Sequence, residues 1–250
     1  MSLPDVHWRH WPGNTDRPAL ALHCMMASAS YWGAIAARLE GGVDLRAFDM
    51  PGHGRSADWR PGGPDFHTTV TRIAAAAIDR PLDLIGHSIG ATVALRIAVA
   101  APEAVRSLTL IEPVLFAAAG GWARDINPAQ GEAAAARIFL GEWGAQSYDD
   151  LPVAAQAAVR RQIWLVADTA PVLNDDTAHI LRPGGLEAID APVMLISGQD
   201  SPPIIHDIAQ NLAARLPDVG VATVPGAGHM GPITHPDQVA GLIAVNLGRG

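Results

Sequence analysis

Leu82-Asp83-Leu84-Ile85-Gly86-His87-Ser88-Ile89-Gly90-Ala91-Thr92-Val93-Ala94-Leu95 is the stretch whose reading decides the fold. A short apolar run leads into Gly-x-Ser-x-Gly, and a second apolar run, rich in alanine and leucine, continues through Arg96 to Ala101. The first run has the length of a strand, the second the length and composition of a buried helix. Ser88 therefore stands at a strand-to-helix turn. Such a turn is sharp, so Gly86 and Gly90 let the backbones approach and the serine is held in a strained conformation with its hydroxyl exposed. The helix that follows aims its free N–H groups and positive dipole end at whatever the serine attacks. The stretch reads as a nucleophile elbow, with a serine that merely caps the helix as the plainer alternative.

Outward from the elbow, strands alternate with helices. Val6 to Trp11 reads as a short first strand, Ala19 to His23 and Val43 to Phe48 as buried strands, and Ser107 to Ile111 as another that ends at Glu112-Pro113. Helical stretches run from about Tyr31 to Leu39 and from Phe66 to Ile78, the second after a proline- and glycine-rich loop from Trp59 to Pro64. From about Val114 to Ile189 the alternation stops. That segment has helical patterns over Gly131 to Leu140 and Val153 to Ala167, three tryptophans (Trp122, Trp143, Trp164) and no convincing strand. Alternation resumes with Pro192 to Gly198, a helix over Ile204 to Leu216, a strand over Gly220 to Val224 and a last helix after Pro236. The order predicts an α/β fold with a mostly parallel, doubly wound sheet covered on both sides. Its core is residues 1–113 and 190–250, and residues 114–189 form a helical cap, or lid, over the ligand-binding edge.

Composition narrows the partners. With 17 Lys and Arg against 25 Asp and Glu, the net charge of -8 argues against nucleic acid and anionic membranes. A single cysteine, Cys24, leaves no internal disulfide and suits a reducing compartment. Met1 to Asp5 lacks the features of a signal peptide, and no apolar run approaches ~20 residues. The expectation is a cytoplasmic protein, monomer or homodimer, whose partner is a small-molecule substrate. The histidines show no metal-ligand spacing and no phosphate-binding glycine motif is present, so neither a metal nor a cofactor is expected.

Four blocks in order resemble the α/β-hydrolase family: His23-Cys24-Met25, Asp49-Met50-Pro51-Gly52-His53-Gly54-Arg55-Ser56, the elbow around Ser88, and Gly226-Ala227-Gly228-His229. The resemblance covers nearly the whole chain. It implies an eight-stranded sheet, here shortened at the N-terminus, with the lid after the sixth strand. Ser88 needs a base to take its proton, and the family order of Ser, acid, His points to His229 in the loop past the last strand. The family's acid slot, three residues past a glycine, holds Ser201 here, while Asp200 stands one residue early and on the opposite face of an extended chain. Glu112 ends a strand at the same edge of the sheet and is the preferred acid, with Asp200 the alternative. The resemblance further implies an oxyanion hole from the N–H groups of Ile89 and Met25, with Cys24 replacing a customary glycine.

These residues point to a serine hydrolase that opens an ester, thioester or lactone through an acyl-enzyme. Met26, Phe116, Trp122 and Trp143 are the candidate lining for a largely apolar substrate. A serine at the elbow argues against dehalogenase and epoxide hydrolase chemistry, for which the resemblance implies an aspartate. Cleavage of carbon-carbon bonds in diketones would use the same residues and stays open. A catalytically silent small-molecule-binding module is the reading from a different class.

Overall fold

The computed structural model describes residues 3–59, 62–122 and 126–250. Met1 and Ser2 of the N-terminal stretch, two residues of the Trp59 to Pro64 loop, and residues 123–125 of the segment after Val114 lie outside them. In chain order the elements are β1 (Trp8–Trp11), β2 (Pro18–Leu22), α1 (Gly33–Arg38), β3 (Asp44–Phe48), α2 (Phe66–Ala76), β4 (Leu82–His87), α3 (Ile89–Ala100) and β5 (Val105–Ile111). There follow α4 (Glu132–Trp143), α5 (Val153–Asp175), β6 (Val193–Gly198), α6 (Pro203–Ala213), β7 (Val219–Val224), α7 (Gly231–Thr234) and α8 (Pro236–Leu247).

One sheet takes the order β1-β3-β2-β4-β5-β6-β7. Only β1 runs antiparallel to its neighbour. The apolar strands feed two cores by alternation, since successive side chains leave opposite faces of a strand. On β6, Val193 and Leu195 join the core that holds Phe66, Leu95 and Ile205. Met194 and Ile196 join the one that holds Trp32, Ile35 and Ile243. Continuous apolar runs are therefore what this sheet requires, because helices cover both faces.

The described residues hold seven strands, so the segment after Val114 follows the fifth of them, not the sixth. The first strand starts at Trp8, not at the expected Val6. Ahead of it, His7 C=O accepts from Asp49 N–H and Asp5 C=O from Ala57 N–H, so the chain there pairs with the loop after β3. Between β5 and β6 the described residues form helices and turns without a strand. α5 runs beyond the expected stop at Ala167, through Pro171 to Asp175. No helix among the described residues is long and apolar enough to cross a membrane.

Candidate active site

Parallel strands bring their C-terminal ends to one edge of the sheet, and five of the loops leaving that edge supply the candidate residues. In register, His87 lies opposite Ile111 and Ile111 opposite Ile196, so Ser88 and Glu112 each stand one residue past neighbouring strands. Ser88 N–H donates to Ile111 C=O at 2.9 Å and Glu112 N–H to Ile196 C=O at 2.8 Å. Both residues have left-handed backbones, with φ of 57° and 50°. A non-glycine residue held there costs about 1–3 kcal/mol, which persists only where the surroundings leave no other conformation. At Ser88 they leave none: a Cβ on Gly86 would lie 2.3 Å from Gly90 O, and one on Gly90 would lie 2.3 Å from Leu22 O. The turn is as tight as the two glycines implied. Ser88 makes no side-chain cap to α3.

Its hydroxyl turns instead to His229. Ser88 Oγ is 3.0 Å from His229 Nε2, and His229 Nδ1 is 2.9 Å from Glu112 Oε2. A carboxylate only accepts, so Nδ1 carries the proton and donates to Glu112, leaving the Nε2 lone pair to accept the Ser88 O–H. All three residues are buried. The second oxygen of Glu112, Oε1, accepts from Gly198 N–H at 2.5 Å and from Ser201 Oγ–H at 2.7 Å. Ser201, in the slot where the resemblance implies an acid, thus holds the carboxylate that reaches in from β5. Asp200 is exposed and outside this chain of hydrogen bonds; its N–H donates to Ala227 C=O.

Two loops flank the serine, one after β2 and one after β3, and two histidines fasten them reciprocally. Met50 N–H donates to His23 Nε2 at 2.9 Å, and Met26 N–H donates to His53 Nε2 at 3.0 Å. Each ring sends its Nδ1–H to a carbonyl, His23 to Cys24 and His53 to Pro51. Both rings are neutral by geometry, because each Nε2 faces a donor. Met25, between the two ties, and Ile89, at the start of α3, have backbone N–H groups not taken up by the turn and loop hydrogen bonds of the described residues. Asp49 stiffens the second loop by accepting from Ala29 N–H at 2.6 Å and Arg55 N–H at 2.8 Å.

Burial pushes His23 down to about 4 and His53 to about 3. His67, buried beside Arg96 far from the serine in sequence, is also pushed down to about 3, first by burial. The unfolded chain takes up these protons near pH 6.5 while the folded chain refuses them, so stability is complete above that pH and lost as pH falls toward 4. Each group contributes about 1.4 kcal/mol per pH unit in that window. The midpoint of urea denaturation is expected to fall steeply between pH 6.5 and 4.5, before most carboxylates titrate. His67→Gln should flatten that fall by one histidine's share. An unchanged pH slope in the variant would contradict the assignment.

The sequence reading did not anticipate how His87 works. It is fully buried, donates Nε2–H to His229 C=O at 2.9 Å, and accepts the Tyr31 hydroxyl at Nδ1, 2.7 Å away. The elbow thereby holds the backbone of the histidine loop. A histidine at the end of a fully buried strand was the available signal, since a buried ring of this kind needs partners. Gln162 on α5, also unanticipated, donates to Gly52 C=O at 3.0 Å and ties the helical segment to the loop after β3.

A cleft of about 660 Å³ opens over the serine, lined among others by Met25, Met26, Tyr31, Trp143 and His229. Trp143 stands edge-on to His229 with ring centroids 4.8 Å apart. Phe116 and Trp122 stack at 5.0 Å and border a smaller cavity that also reaches Ser88. Trp164 is exposed, its indole N–H bonded to Glu132. Burial drives the Cys24 thiol up to about 12, so it stays protonated. Among the described residues no group of three or more His, Cys, Asp or Glu is placed to hold a metal ion.

A 122-residue stretch is 37% identical to a pimeloyl-(acyl-carrier protein) methyl ester esterase of Pectobacterium carotovorum, covering 48% of this chain and only 46% of that protein. Over 255 residues the chain is 27% identical to a Pseudomonas savastanoi protein provisionally named carbamate hydrolase RutD, covering 92% of this chain and 93% of that one. The crystal structure of an enol-lactonase from Burkholderia xenovorans shares the fold, with a TM-score of 0.71 at 17% identity over 97% of this chain and 96% of that one. The profile of the alpha/beta hydrolase family matches residues 19–242, and with this sheet, this elbow and these loop positions the chain belongs to the alpha/beta hydrolase family and is a hydrolase.

Proposed function

We propose that the protein is a serine esterase that opens carboxylic esters, or chemically similar thioesters and lactones, through an acyl group carried on Ser88. What carries this reading is the unbroken chain from Ser88 through His229 to Glu112, at 3.0 and 2.9 Å, beside a cleft that admits a small molecule. The relative named as a methyl ester esterase lends support.

In this mechanism His229 Nε2 takes the Ser88 proton as Oγ attacks the carbonyl carbon. The N–H groups of Met25 and Ile89 stabilise the oxyanion, and His229 passes its proton to the leaving oxygen as the carbon–oxygen bond breaks. Water then attacks the acyl carbon, gives a proton to His229, and Ser88 leaves with that proton restored. Glu112 keeps Nδ1–H oriented and stabilises the imidazolium. Residues 114–189 act as the cap, carrying Phe116, Trp122 and Trp143 to the substrate side. A cytoplasmic location fits the single cysteine.

The test is a fluorophosphonate probe with peptide mapping, alongside a panel of p-nitrophenyl esters. Labelling of Ser88 together with ester turnover is the expected result. No labelling and no turnover of any ester would sink the reading, and labelling without ester turnover would move the search to thioesters and carbon-carbon bonds.

A further inference from the structure

Two cavities of very different size meet at Ser88. The cleft of about 660 Å³ is bordered by His229. The second cavity, about 40 Å³, touches Ser88, Met25 and Ile89 but not His229, and its walls are Val114, Phe116, Trp122, Phe139, Trp143 and Leu173 with a few neighbours. Thr169, the hydroxyl-bearing side chain among them besides Ser88, has its hydroxyl committed to Val166 C=O at 2.9 Å. The small cavity is therefore walled almost wholly by aliphatic and aromatic side chains. One water needs about 10–15 Å³ by this kind of measure, so 40 Å³ takes about two or three heavy atoms.

Chemistry assigns the two sides. A carbonyl carbon bonded to Ser88 Oγ carries three other groups: the oxyanion, the leaving oxygen and the acyl carbon chain. The leaving oxygen must receive its proton from His229 Nε2, so the leaving group extends into the space that His229 borders. The acyl chain is left with the other space. We infer that this enzyme is a short-acyl esterase, taking acetyl to propionyl groups in the small cavity and a larger alcohol in the cleft; this rests on the serine esterase reading above. Each methylene forced into a full apolar cavity costs selectivity of about tenfold or more.

Two isomeric esters test the assignment, because they differ only in which side of the ester is long. Hexyl acetate is expected to exceed methyl heptanoate in kcat/KM by at least about tenfold. In Phe116→Ala the wall of the small cavity recedes, and the ratio of p-nitrophenyl hexanoate to p-nitrophenyl acetate turnover should rise by about tenfold. The wild-type comparison stands even if that variant does not fold. Equal or reversed rates for the two isomers overturn the inference, as does turnover of neither by an enzyme whose Ser88 still reacts with the fluorophosphonate. An unreactive Ser88 with no ester turned over takes down the esterase reading as well, which separates the two failures.

Discussion

Replacing Ser88 with alanine is expected to lower kcat for the best ester by about 10,000-fold or more while leaving the unfolding free energy within about 0.5 kcal/mol of wild type. The activity loss follows from covalent catalysis: without Oγ no acyl group is carried, and His229 has only water to activate. The unchanged stability follows from where the hydroxyl points. Ser88 stands at the start of α3 yet makes no cap to it, so its removal deprives the helix of nothing. The hydrogen bond lost to His229 is a single one, and the alanine keeps the same strained backbone that Gly86 and Gly90 impose. Urea denaturation and single-turnover kinetics on the same preparation check both halves. A variant that keeps a tenth of the activity would contradict the proposed role.

Glu112→Gln is expected to cost about 1,000- to 10,000-fold in kcat, and Asp200→Asn less than about twofold. Glu112 uses both oxygens as acceptors, Oε1 for Gly198 N–H and Ser201 O–H, Oε2 for His229 Nδ1–H. Glutamine has one acceptor oxygen and one NH2 donor. If its oxygen faces Gly198 and Ser201, the NH2 faces His229, whose Nδ1 must then give up its proton. Nε2 is then protonated and no longer accepts from Ser88. If the amide turns the other way, a donor faces the Gly198 N–H. Asp200 is exposed and its side chain takes no part in these bonds, so its amide should behave as wild type. Parallel kcat measurements on the two variants decide the matter; a large loss in Asp200→Asn with an active Glu112→Gln would reverse the roles.

Much of the architecture was legible in the residues. Apolar runs of strand length, alanine-rich helices between them and Gly-x-Ser-x-Gly at a strand-to-helix junction imply a doubly wound sheet by local chemistry alone. The seven-stranded order and its two covered faces agree with that reading. Less legible was where the first strand begins, because the carbonyls of Asp5 and His7 are taken by a loop some fifty residues away.

Within the candidate site the division runs along chain separation. The strain at Ser88 is written in its immediate neighbours, since a turn that brings backbone within contact of Gly86 and Gly90 tolerates no Cβ at either. Local sequence prefers Glu112 over Asp200 but does not decide which carboxylate meets His229, because the partner lies 117 residues from Glu112. The paired ties of His23 and His53 and the bridge from Tyr31 through His87 likewise join distant loops. By itself the sequence determined the fold class and the serine's turn, which depend on periodicity and local sterics. Only the tertiary structure decided the hydrogen-bond partners and the unequal cavities on either side of Ser88, because those depend on where separate strands end in register and what the segment after β5 packs above them.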